Sequence, residues 1–439
     1  MISRKLLKSA AAFAFCLAAT GCSKDEASDD SLSAEPPAEP ALPAGDGNGL
    51  NLLLLSVDTL RADHLGAYGY GPPTSPAIDR LAEAGTLFEQ AYAPRGLTWP
   101  SLVSLMTSRY PVQHGVRTNA MKVDESELTL AEILRDKGYA SAAYIAPTAI
   151  DQYWEGFETV ELADDPAISR QGVEWLEGAG DGPFFLWLHY FGPHKPYTPP
   201  EEYAMRFSRN YTGPFKGLDG HMNAITAHQT ELGPEDLDHL IGLYDALIAR
   251  TDDLLQEVLA SLESLGLAEK TLVVFISDHG EDLYDHNKYF FHFASVYDSS
   301  LHIPLIFRLP GVVPEGLRVG PLVETNDISP TILQLLGFST APSFEGTSLA
   351  PFFDGEGPEL GPAFAEWRDM ILTVRTENYR YVSNPAGLGP VWLSPEGFAK
   401  LRKQEFYQRM VEAKVLDPRI ERLEYPIKET ELYDMRRDP

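Results

Sequence analysis

The chain has 439 residues, with 64 acidic against 35 basic side chains and a formal net charge of −29 at pH 7. A field of that sign repels nucleic acid and anionic lipid surfaces, so neither is an expected partner, and an anionic substrate must be drawn in by local cations. Two cysteines exclude a disulfide framework, and the length allows one large core with a small appendage.

The chain opens with Arg4, Lys5 and Lys8, then an apolar stretch from Ala10 to Ala19, then Thr20-Gly21-Cys22. This reads as a secretory signal over residues 1–21, with a small-residue cleavage site and an apolar run too short to span a bilayer. Ala19-Thr20-Gly21-Cys22 resembles a bacterial lipobox, which implies a lipid on Cys22 and a membrane attachment by that anchor only. Cys16 would leave with the leader. Ser23 after the lipid-bearing cysteine resembles outer-membrane sorting, so the expected location is the bacterial cell envelope, facing the periplasm or the outside. Residues 22–48 are rich in Asp, Glu, Ser, Ala and Pro and read as a disordered tether.

Two short apolar runs then stand out, NLLLLSV at Asn51 to Val57 and TLVVFIS at Thr271 to Ser277. Continuous apolar runs of this length read as strands buried on both faces. The first is followed by Asp58-Thr59, the second by Asp278-His279-Gly280. In open α/β sheets ligands sit beyond the carboxyl ends of the strands, and two carboxylates with an imidazole there can hold a divalent cation. Further strands are predicted at Ala140–Ala146, Phe184–His189 and Ile303–Arg308. Helices are predicted from Ser75-Pro76 to Gly85, after Thr129 as cap with Gly138 as stop, and over Glu235 to Leu265. This alternation predicts a mostly parallel sheet between helices over residues 49–360. Within residues 361–439, MILTVRT and YRYVSN read as strands and Glu396 to Val415 as a helix. No internal repeat is present.

SVDTLRADHLGAYGY, APRGLTWPSLVSLMTSRYPVQHGV, HYFGPHKPYTPP, SDHGEDLYDH and DSSLHIPLIFRLPG occur in the order and spacing of the sulfatase family, of the alkaline phosphatase superfamily. DISPTILQLLG, FEGTSLAPFFDG and ELYDMRRDP also resemble it, so the likeness runs from about residue 50 to the end. It implies an alkaline phosphatase-like α/β fold with a small C-terminal antiparallel sheet and a helix. Such chains commonly continue beyond the position of Asp438-Pro439, which makes truncation an expectation.

The family's formylglycine position matches Thr98 in Thr98-Trp99-Pro100-Ser101-Leu102. Threonine cannot become that aldehyde, since its methyl group would give a ketone, and the supporting Arg of the pattern is Leu102. The resemblance therefore implies an unmodified Thr98 nucleophile and no formylglycine. Pro100 begins an apolar-periodic stretch, which places Thr98 near a helix N-terminus suited to an anion. The family's Ca²⁺ ligands map to Asp58-Thr59 and Asp278-His279. One carboxylate is lost and an imidazole gained, which favours a single Zn²⁺ or Mn²⁺ over Ca²⁺, held by Asp58, Thr98, Asp278 and His279.

His194 matches a family histidine that protonates the leaving oxygen, and His292 matches a position that contacts the substrate anion. Near-neutral titration of His194 is expected. His189, Arg61, Arg95 and His114 are weaker candidates, for which a structural role competes. The family's G-K-W-H-L-G segment is absent; after Gly138-Tyr139 the chain reads ASAAYIAPTAI, which removes two cationic contacts usual for sulfate monoesters. The implied function is a metal-dependent hydrolase of sulfate, phosphate or phosphonate esters carried by a small molecule, glycan or lipid. Transfer of a phospho group to an alcohol and a non-catalytic binding protein are the alternatives. Oligomeric state has no signature in the sequence.

Overall fold

The computed structural model describes residues 46–147, 155–218, 220, 222, 225, 232–285, 290–292, 295–367, 371–383 and 430–435. The leader, residues 22–45 of the predicted tether and the predicted helix over Glu396 to Val415 lie outside them; the end of that tether is ordered, with Asn48 donating to the Leu335 carbonyl at 2.7 Å and the Leu336 carbonyl at 3.0 Å.

Among the described residues the main element is a nine-stranded sheet. β1 (Asn51–Val57) lies between β5 (Phe184–Tyr190) and β6 (Thr271–Ser277), parallel to both. Every residue of these three strands is buried, as their continuous apolar sequences require. Beyond β5 lie β3 (Ala140–Ile145) and β4 (Thr159–Leu162), both parallel. Beyond β6 the sheet turns mixed: β8 (Leu305–Arg308) is antiparallel to β6 and β2 (Thr86–Tyr92). β7 (His302–Ile303) and β9 (Leu317–Glu324) also pair with β2.

Alternation along the strands sorts the core into two layers. Leu52 and Leu54 of β1 and Leu272 and Val274 of β6 face helix α2 (Thr98–Thr107), α3 (Leu130–Asp136) and α7 (Ile328–Leu335). Leu53, Leu55, Val273 and Phe275 face α1 (Pro76–Glu83), α4 (Asp165–Glu177) and α6 (Pro234–Ser264). α5 (Glu201–Phe207) packs on α6. Two predicted helix starts have their physical basis in view. Pro76 is the first helical residue of α1, and Thr129 caps α3 through a reciprocal pair of bonds with Glu132.

The predicted strand Ile303–Arg308 is split into β7 and β8, because Pro304 has no N–H for the ladder. β2, β4 and β9 carried no clear signal. β2 holds half-buried Glu89 and Gln90 and a register shift against β9, and β9 is interrupted by Gly320-Pro321.

The C-terminal sheet is antiparallel, in the order β10 (Ala363–Trp367), β11 (Ile371–Arg375), β12 (Tyr379–Ser383), β13 (Thr430–Asp434). Its inner face, with Ala365, Trp367, Ile371 and Val382, packs on Tyr92, Val296, Tyr297 and Leu301. The fold expectation holds: a large mostly parallel sheet between helices, with a small antiparallel C-terminal sheet.

Candidate functional site

The register of β1 and β6 creates the site. Val57 pairs with Ser277, so Asp58 and Asp278 leave the sheet side by side. Continuing the strand alternation, both point to the layer of α2. Thr98 is the first residue of α2, and its N-cap Leu97 supplies no side-chain bond. The Thr98 hydroxyl is not a helix cap. Its Oγ1 lies 3.5 Å from Asp58 Oδ2 and 3.5 Å from His279 Nε2. All four side chains are at most 2% exposed.

Asp58, Asp278 and His279 each offer one ligand atom, all within 4.8 Å of one another. His279 Nε2 is 3.6 Å from Asp58 Oδ1 and 3.5 Å from Asp278 Oδ2. Among the described residues those two carboxylate oxygens have no hydrogen-bond partner, although they are buried. The other oxygen of Asp278 accepts from the N–H groups of His279, at 2.7 Å, and Thr59, at 3.2 Å. His279 Nδ1 lies 2.8 Å from the Gly280 carbonyl, which can only accept, so the ring proton sits on Nδ1 and Nε2 presents its lone pair. Burial first, then the Asp278 and Glu281 charges, hold the Asp58 carboxyl well above its usual range. A pocket with orphaned carboxylate oxygens and an aimed imidazole lone pair fits a divalent cation. Thr59, next to it, has φ +57°, a strained value for a β-branched residue. Its carbonyl accepts from Tyr244 Oη at 2.8 Å, which holds the turn.

The histidines form the other wall. The His292 ring centroid is 4.4 Å from that of His279 and 5.3 Å from that of His194. His292 Nδ1 pairs with Glu281 Oε1 at 3.2 Å, and His194 Nδ1 donates to the Lys195 carbonyl at 2.6 Å. Burial, then the His292 imidazole, pushes His194 well below the ordinary histidine range. Its expected near-neutral titration therefore does not describe the protein without an anion beside it. Glu281 and Lys195 were not foreseen. Glu281 is fully buried, and burial raises its carboxyl to about 7 against the opposing pull of Lys195. Lys195 is 5% exposed, with its ammonium 4.5 Å from the Phe291 ring centroid. Their positions beside His279 and His194 in sequence were the only signal.

The weaker candidates do not join this cluster. His189 Nδ1 pairs with Ser56 Oγ at 2.9 Å inside the sheet layer, and its imidazole is lowered to about 4 by burial. Arg61 binds Asp63 at 2.7 Å, Asp285 at 2.5 Å and the Glu281 carbonyl at 3.1 Å, tying the two metal-side loops together. Arg95 binds Glu366 of the C-terminal sheet at 3.2 Å. His114 pairs with Ser104 Oγ at 3.0 Å and accepts from the Val116 N–H at 3.1 Å.

The family model for sulfatases matches residues 50–338. An ulvan-active sulfatase of Formosa agariphila is 26% identical over 383 residues, 77% of this chain and 73% of that protein. A multifunctional alkaline phosphatase superfamily protein, PehA, of Trinickia caryophylli is 25% identical over 485 residues, covering 82% and 93%. The crystal structure of a phosphonate monoester hydrolase of Agrobacterium radiobacter superposes with a TM-score of 0.66 at 22% identity, over 83% of this chain and 95% of that one. The chain thus belongs to the sulfatase family and is an ester hydrolase.

Proposed function

We propose that this protein cleaves sulfate, phosphate or phosphonate esters of a glycan or small molecule through an unmodified Thr98. The observation that carries this is the hydroxyl of Thr98, 3.5 Å from both Asp58 and His279 and free of any capping role. A divalent cation held by Asp58, Asp278 and His279 would lower the pKa of a neighbouring hydroxyl and neutralise charge on the ester oxygens. The imidazole in that set favours Zn²⁺ or Mn²⁺ over Ca²⁺.

Thr98 Oγ1 attacks sulfur or phosphorus in line, the helix N-terminus of α2 favours the anion, and His292 faces its oxygens. An anion beside His194 opposes the burial effect, so that its ring can carry a proton on Nε2 for the leaving oxygen. Water then releases the group from Thr98. A threonine ester has no carbonyl-forming exit, so phosphoryl and phosphonyl groups leave it more easily than sulfuryl groups. The names of an ulvan-active sulfatase and a phosphonate monoester hydrolase among the similar proteins support both substrate classes.

Thr98→Ala should lower kcat by about 10³ or more, since the covalent route goes while the binding groups stay. Thr98→Ser should keep measurable turnover on a panel of nitrophenyl sulfate, phosphate, phosphodiester and phosphonate. Wild-type rates in Thr98→Ala would remove the nucleophile from this reading.

A further inference from the structure

The loop that carries His194 is tied down from outside the site. β5 ends at Tyr190, and the chain turns through Phe191-Gly192-Pro193 into His194. The His194 N–H donates to the Phe191 carbonyl at 3.2 Å, and the two rings lie 4.4 Å apart. Gly192 has φ +53°, and a Cβ there would come within 2.5 Å of Val57 Cγ1. The turn therefore rests on the last residue of β1, one position before Asp58.

Turning out of the sheet leaves the N–H groups of Phe191 and Gly192 without strand partners. Both go to one side chain on α4. Phe191 N–H donates to Asp165 Oδ1 at 2.7 Å, and Gly192 N–H donates to Asp165 Oδ2 at 3.0 Å. Asp165 is 6% exposed. One helical turn later, Ser169 pairs with Tyr190 Oη at 2.9 Å and donates to the Leu254 carbonyl at 3.0 Å. Positions i and i+4 share a helix face, so one face of α4 grips Tyr190 through Gly192. Asp165 is not needed as a helix cap, because Asp164 already accepts from the Ala167 N–H at 3.0 Å. A carboxylate suits two donors, since each oxygen takes one charge-assisted bond. An amide would take one and set its NH₂ against the other.

We propose that Asp165 is a positioning residue: its carboxylate fixes the Phe191–His194 turn so that His194 faces the leaving oxygen of the substrate. This rests on the reading of His194 as the proton donor. That dependence supplies a readout which a purely structural role would not move. A nitrophenolate departs without a proton, whereas an alkoxide needs one.

The experiment compares 4-nitrophenyl and alkyl esters of the same acid, phenylphosphonic and in parallel sulfuric, on the full metal-loaded chain. Asp165→Asn should lower kcat on the alkyl ester by roughly 10- to 100-fold and on the nitrophenyl ester by less than about 3-fold, with metal content unchanged. His194→Gln should show the same discrimination, larger, and the double variant should be no worse than His194→Gln alone. Equal losses on both esters in Asp165→Asn, or additive losses in the double variant, overturn the role of Asp165. If His194→Gln itself does not discriminate between the esters, the proton-donor reading fails and takes the proposal with it. Should Asp165→Asn not fold, Asp165→Glu carries the same comparison, because one extra methylene displaces the turn while keeping both acceptors.

Discussion

On one side of Thr98, Asp58 and Asp278 leave two buried carboxylate oxygens around His279 Nε2 without hydrogen-bond partners among the described residues. On the other side, His194 and His292 are each engaged at Nδ1 by the protein itself, through the Lys195 carbonyl and the Glu281 carboxylate. The first wall is electrostatically incomplete and calls for a cation; the second is completed by Glu281 and Lys195. The two walls are also made differently. The first comes from the ends of two paired strands and the start of a helix. The second comes from loops that follow β5 and β6. Register-fixed elements hold the groups that would converge on an ion, and loops hold His194, proposed for the leaving oxygen, and His292, proposed for the anion.

The largest expected effect lies on the first wall. The wild-type protein should hold about one Zn²⁺ or Mn²⁺, and Asp278→Ala or His279→Ala should strip it and lower activity by about 10³ or more. Elemental analysis of the purified variants checks this. Calcium as the sole metal, or unchanged content in both variants, contradicts the ligand set. The second wall should behave otherwise. Glu281→Gln should leave the metal in place and raise KM by about 10-fold, more than it lowers kcat, because the partner of His292 is weakened while Thr98 is untouched. Loss of metal in Glu281→Gln would erase the distinction between the two walls.

The smallest expected effect lies away from both. Burial and the neighbouring Asp327 raise Glu324 to about 8, and burial raises Asp327 to about 6. Glu324 accepts from Tyr110 Oη at 2.7 Å and from the Phe364 N–H at 2.7 Å, where β9 meets the C-terminal sheet. A carboxyl raised in the fold favours the protonated folded state. Its stabilisation is present below the unfolded value near 4 and is lost as pH rises towards 8. Melting temperature should therefore decline by a few degrees, roughly 2–4 °C, between pH 5 and pH 8, and Glu324→Gln should flatten that decline. An identical slope in wild type and variant would show that Glu324 does not contribute.

The first wall was legible in the sequence because its residues directly follow strands whose apolar runs are unmistakable. Asp58, Asp278, His279 and Thr98 meet where strand register and one helix start put them. The second wall was legible only in its histidines. Glu281 and Asp165 meet residues further along the chain, Glu281 meeting His292 and Asp165 meeting Phe191 and Gly192, and no local pattern encodes that. The same holds for the fold. β1, β5 and β6 announce themselves by continuous burial. β2 and β9 carry Glu89, Gln90 and Gly320-Pro321 inside the strand, and only tertiary pairing decides them.

The account turns on Thr98 as the group that takes the ester's acid portion. Trapping the enzyme with a slow phosphonate or sulfate ester, followed by acid quench and peptide mapping, tests that directly. The account predicts a phosphonyl or sulfuryl adduct on the peptide containing residue 98, at Thr98 and absent in Thr98→Ala. An adduct on another residue, or full turnover with no adduct in the wild type and the variant alike, contradicts it.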